Sequence, residues 1–150
     1  LGIPVMVERS SYEEHPLGRL EWIRLYGLLY GKEQEADAFY EEQLKKIEPI
    51  MEKEDTGRTV AFFYITANGA VNVRKPNDYI AQMIGLAGGT YVLNDRLSAE
   101  ENALSTMNMQ MEDFYAAAKD ADILIMDKEL NIRAVWQAGK LVQENFLNYK

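Results

Sequence analysis

A single histidine, His15, and no cysteine among 150 residues remove most of the side chains that serve as nucleophiles, proton relays and metal ligands. There can be no disulfide, no thiolate and no cysteine-held zinc or iron–sulfur cluster. A multi-histidine metal site is impossible, and a Ser-His-Asp arrangement would have to use the one ring that precedes Pro16 in a polar connector. We therefore expect no catalytic residue, no resident metal and no cofactor. What remains are groups suited to holding a ligand. Asn68, Asn72, Arg74 and Lys75 follow one apolar run, which ends near Tyr64, while Asn102, Ser105, Thr106 and Asn108 lie in a long polar segment. Amides and hydroxyls can hydrogen-bond a ligand, and a guanidinium grips a carboxylate with two parallel bonds. Met107, Met109 and Met111 alternate through the same segment; Met107 offers a soft apolar contact, and the alternation fits a half-buried extended stretch better than a Cu(I) site.

Composition narrows the partners. With 16 basic against 24 acidic side chains the net charge is −8, which argues against nucleic acid as a partner, because clustered Lys and Arg supply most of that affinity. The longest uncharged run, Thr59 to Val73, holds Asn68, Gly69 and Asn72 and is too short and too polar to span a bilayer. A chain of this size buries about 68–70% of its unfolded surface and needs no staple to hold a core.

The elements that must position these side chains follow from periodicity and punctuation. The opening LGIPVMVE reads as a strand. Pro16 suits the first turn of a helix, and Leu17, Leu20, Ile23 and Leu28 recur at helical spacing. The pattern resumes after Gly31 with Ala36, Phe39, Leu44 and Ile47, so residues 16–53 read as one long helix, bent or broken around Gly31 and ended or kinked by Pro49. VAFFYIT, Val60 to Thr66, reads as a buried and plausibly parallel strand, followed by an Asn68-Gly69 turn. Asp78 can cap a helix that Gly88-Gly89 stops before a strand over Thr90 to Leu93. Residues 94–110 read as a long, functional connector. A helix over MEDFYAAAKD, strands over ADILIMD and IRAVW, and a final helix over QAGKLVQENFLNYK complete the pattern. Alternation of this kind predicts an α/β fold: a three-layer lobe with a mostly parallel central sheet. Ligands gather outside the carboxyl ends of such strands, which places the loops after Thr66 and Asp127 first. No G-x-G-x-x-G or G-x-x-x-x-G-K-[ST] string is present.

Three stretches carry a family resemblance. HPLGRLEWIRLYGLLYGKEQEA resembles the start of the long interdomain helix of class III substrate-binding proteins, the extracytoplasmic receptors of ABC importers for iron-siderophores, haem and cobalamin. DYIAQMIGLAGGTYVLND resembles the helix-turn-strand segment that follows the first strand of their C-terminal lobe, and MEDFYAAAKDADILI their short helix entering a strand. All three stand in family order. The resemblance implies residues 1–15 as the end of an absent N-terminal lobe plus a connector, 16–53 as the interdomain helix and 54–150 as the C-terminal lobe.

It further implies a binding protein, not an enzyme, that captures a metal chelate such as a ferric siderophore, with haem or cobalamin less favoured. A periplasmic or lipid-anchored location on the outer face of the membrane follows. Tyr64, Asn68, Asn72, Arg74, Lys75, Asn102, Met107 and Asn108 would then contact the ligand. Glu112 matches the family's glutamate that pairs with arginines of the ABC transporter permease; its local role is to meet the positive end of a helix dipole. One lobe supplies one wall of such a cleft, so full affinity is not expected of it. The rival readings are a flavodoxin-like enzyme domain and a structural domain that forms a non-native dimer through the exposed apolar face of the long helix.

Overall fold

The computed structural model describes residues 2–95, 105–128, 131–137 and 140–144. After a single 3-10 turn over Ser10–Tyr12, helix α1 runs Pro16–Tyr30 and α2 runs Glu33–Met51. Pro16 stands in the first turn, where no N–H is needed, and His15 Nδ1 accepts from Leu17 N at 3.3 Å. The one histidine thus acts as a helix cap. Gly31 ends α1 in the left-handed conformation, φ 63°, and the chain doubles back.

The break falls at Gly31 as the sequence suggested, but it reverses the chain instead of carrying one long helix onward. Leu17 and Leu20 share an apolar cleft with Ile47 and Ile50 of α2, and Arg24 bridges to Asp37 at 2.8 Å and Glu41 at 2.9 Å. Two antiparallel helices therefore form a hairpin, and α2 partly covers the apolar stripe of α1 that suggested a dimer, while Leu28 at its far end stays 61% exposed. Pro49 lies inside the last turn of α2 and the helix continues to Met51; a missing N–H so near the end leaves little helix to disturb.

The sheet grows from β1, Arg58–Ile65. A turn with Gly69 at φ 83° and Thr66 N bonded to Ala70 O at 2.8 Å returns the chain as β2, Val71–Arg74, antiparallel to β1. Helix α3, Tyr79–Leu86, is capped by Asp78 Oδ1, which accepts from Ile80 N at 2.9 Å. Gly88, φ 75°, turns the chain into β3, Gly89–Tyr91, parallel to β1. Next come β4, Thr106–Met109, α4, Met111–Ala118, β5, Ile123–Lys128, β6, Asn131–Gln137, and β7, Lys140–Glu144. The order across the sheet is β4-β2-β1-β5-β6-β7, with β3 beside the first half of β1. The parallel pairs, β1 with β3 and with β5, occupy the centre, and the flanks are antiparallel, so the sheet is mixed.

Val60, Phe62, Ile123 and Ile125 meet Ile80, Met83 and Ile84 of α3 on one face. On the other, Phe63 packs against Phe114 of α4, the rings tilted with centroids 4.6 Å apart. Helices on opposite faces give the expected three layers, and each buried Val or Phe contributes roughly 1.5–3 kcal/mol.

Three expectations are corrected. Residues 106–109 form an edge strand inside the expected connector. Residues 140–144 form a strand, not the start of a final helix. Residues 2–9 have no strand partner among the described residues, and Ile3, Val5, Met6 and Val7 stand exposed; apolar alternation makes a strand only where a neighbour supplies the ladder.

Candidate functional site

Three of the anticipated side chains meet across adjacent strands. Tyr64 pairs with Asn72, and Asn72 with Asn108, so all three share one face near the carboxyl end of β1. Asn72 is buried and Asn108 exposed, and the Asn72 amide donates to Asn108 Oδ1 at 2.7 Å. Arg74, opposite Thr106, continues the row on the same face.

Arg74 is not the solvated charge of a loop. Its side chain is 14% exposed, its Nη1 lies 3.9 Å from Asp78 Oδ2, and its Cζ sits 5.8 Å from the Phe62 ring centre. The backbone here is tied twice to Tyr91, whose hydroxyl accepts from Arg74 N at 3.2 Å and donates to Arg74 O at 2.9 Å. Burial pushes the Tyr91 hydroxyl pKa well up, so it remains a donor. Asp78 caps α3 through Oδ1 while Oδ2 is buried without a hydrogen bond among the described residues.

The other anticipated contacts are dispersed. Asn68 sits in the β1–β2 turn. Lys75 is buried, and its backbone N donates to Ser105 O at 2.9 Å. Met107 pairs with Val73 and turns to the α4 face, packing against the core. Asn102 lies outside the described residues. Glu112 stands exposed in the first turn of α4, apart from the polar row.

The sequence reading missed a polar cavity of about 370 Å³ beside Thr106, lined among others by Ser11, Glu14, Arg19, Asn77 and Tyr79. Arg19 donates to Glu13 O at 2.9 Å and Ser11 O at 2.8 Å and lies 3.8 Å over the Tyr79 ring. It makes no ion pair among the described residues. Asn77 closes the rim by donating to Glu14 at 2.8 Å. Arg19 carries no signal of its own in the sequence; its distance in sequence from Tyr79 hides the contact.

No group of three or more His, Asp or Glu able to hold a metal occurs among the described residues. None of their helices is long and apolar enough to cross a membrane. The cavity presents the guanidinium of Arg19, the Asn77 amide, the Tyr79 ring and the Thr106 hydroxyl, groups that can hold a ligand by hydrogen bonds.

No protein-family profile matches the chain. It is 30% identical over 129 residues to an uncharacterized lipoprotein of Methanocaldococcus jannaschii, an alignment covering 84% of this chain and 30% of that protein. The chain thus spans less than a third of that relative's length. Among solved structures it is similar to the periplasmic haem-binding protein HutB of Vibrio cholerae, with TM-score 0.65 and 22% identity over 83% of this chain and 45% of that one. It is also similar to the Fe3+-hydroxamate transport protein of Saccharomonospora viridis, with TM-score 0.58 and 19% identity over 73% and 37%. The fold is that of a single lobe of the class III substrate-binding proteins of ABC importers.

Proposed function

We propose that this lobe is part of the substrate-binding component of an ABC importer, acting outside the cytoplasm to capture a ferric siderophore and deliver it to the permease. The observation that carries the reading is the row Tyr64, Asn72 and Asn108 at the carboxyl end of β1, in a lobe whose fold such receptors share. Haem and cobalamin are less favoured, because a row of amides and a phenol beside Arg74 and Arg19 suits the oxygen-rich rim of a hydroxamate or carboxylate chelate. Tyr64, Asn68, Asn72, Arg74, Lys75, Asn102, Met107 and Asn108 remain the proposed ligand contacts, with Tyr64, Asn72 and Asn108 foremost. Arg19 joins them from the neighbouring cavity.

Docking to the permease is assigned to Glu112. Its carboxylate is exposed and has no ion pair among the described residues, which leaves it available to an arginine. The test is uptake of ferric hydroxamate by cells carrying the Glu112→Arg protein. Import should stop while affinity for the chelate is unchanged; a parallel loss of affinity would overturn the assignment.

A further inference from the structure

An arginine clamp already exists within this chain. Asp37 and Tyr40, three residues apart on α2, face Arg24: Nε makes an ion pair with Asp37 Oδ1 at 2.8 Å without a hydrogen bond, Cζ lies 4.1 Å from the centre of the Tyr40 ring, and Nη2 donates to Glu41 of the next turn at 2.9 Å. Residues three apart on a helix are surface neighbours, so an acid at one and a tyrosine at the other form a notch for a flat cation. A guanidinium suits it because the same plane can hydrogen-bond through its edge and stack through its face. Stacking recurs at Arg19 over Tyr79 and Arg74 over Phe62.

The same spacing occurs once more on α4, where Glu112 and Tyr115 are three apart. Here no arginine fills it. Tyr115 is 64% exposed, and Met111 beside Glu112 is 40% exposed. Neither Glu112 nor Tyr115 has a hydrogen bond, ion pair or ring partner among the described residues. Asp113 adds a second carboxylate in the same turn, unpaired among the described residues. Lys119, the basic residue one turn on, lies 3.7 Å from Asp120.

We infer that Glu112 and Tyr115 together form a clamp for an arginine presented by the partner protein, with Tyr115 supplying the ring face. The inference rests on the docking role assigned to Glu112 and adds Tyr115 as the residue that makes the surface prefer arginine over lysine. The stack contributes a two- to fivefold gain in affinity at an exposed site.

The test is an NMR titration of the labelled chain with acetyl-Ala-Arg-Ala-amide and, separately, acetyl-Ala-Lys-Ala-amide. The arginine peptide should shift the Tyr115 ring and Glu112 signals and bind more tightly than the lysine peptide. Tyr115→Leu should weaken the arginine peptide two- to fivefold and erase the preference, Tyr115→Phe should restore both, and Glu112→Gln should weaken both peptides. If Tyr115→Leu binds as the native chain does while Glu112→Gln is weakened, the clamp is overturned and Glu112 keeps its docking role. If neither substitution changes binding, both are overturned.

Discussion

Gly27 and Ala36 meet where the two helices of the hairpin come closest: a Cβ added at Gly27 would overlap the Cβ of Ala36 and lie 3.0 Å from the carbonyl oxygen of Lys32. Only hydrogen fits between the backbones there. Because α1 also packs against α3, the hairpin's angle fixes how the connector over residues 8–15 meets the lobe. Gly27→Val should cost about 1–3 kcal/mol through overpacking, read as a fall in Tm of about 2–4 °C for each kcal/mol in a chain of this size. An unchanged Tm would mean that the helices do not approach so closely.

Asp122 ties the start of β5 to the start of β1, accepting from Thr59 N at 2.8 Å and Thr59 Oγ1 at 2.9 Å. These hydrogen bonds hold its carboxyl below the usual range. A depressed carboxyl contributes stability above its unfolded pKa, about 3.9, and loses it as pH falls through the lower folded value. The native protein should therefore exceed Asp122→Asn in urea midpoint at neutral pH, and the gap should close on acidification below about pH 4. A gap that is constant with pH would contradict this.

Asn108→Ala would leave the buried Asn72 amide without its acceptor, a loss of about 1–3 kcal/mol measurable by urea unfolding. If the row also contacts ligand, the same substitution should weaken ferric hydroxamate binding about two- to tenfold, the equivalent of one hydrogen bond. Stability that falls with affinity unmoved would confine the pair to a structural role.

Much of the fold was legible because local chemistry fixes it. Pro16 at a helix start, Gly31 at a helix end, Asp78 as a cap and the apolar core of Val60 to Phe63 each carry their own signal. What was not legible depends on partners distant in sequence. Gly2 to Val7 has the composition of a strand, yet no neighbour among the described residues pairs with its backbone. Thr106 to Met109 falls in what reads as a connector, and only the alternation of Met107 and Met109 marks it as a half-buried extended stretch; that it is an edge strand required its partners Val73 and Val71. The hairpin of α1 and α2 was half visible in Gly31; the role of Gly27 emerges only once Ala36 is brought against it. At the site, Tyr64 and Asn72 were picked out as neighbours of a strand end, and their alignment with Asn108 required the strand pairing. Arg19 had no marker at all until Tyr79 was brought beneath it.

The most direct measurement is calorimetric titration of the protein with a ferric hydroxamate, alongside haemin and cyanocobalamin. Saturable binding of the ferric hydroxamate is expected, weakened by both Tyr64→Leu and Asn108→Ala. Absence of saturable heat with all three, or binding indifferent to both substitutions, would contradict the assignment of this surface as a chelate-binding wall.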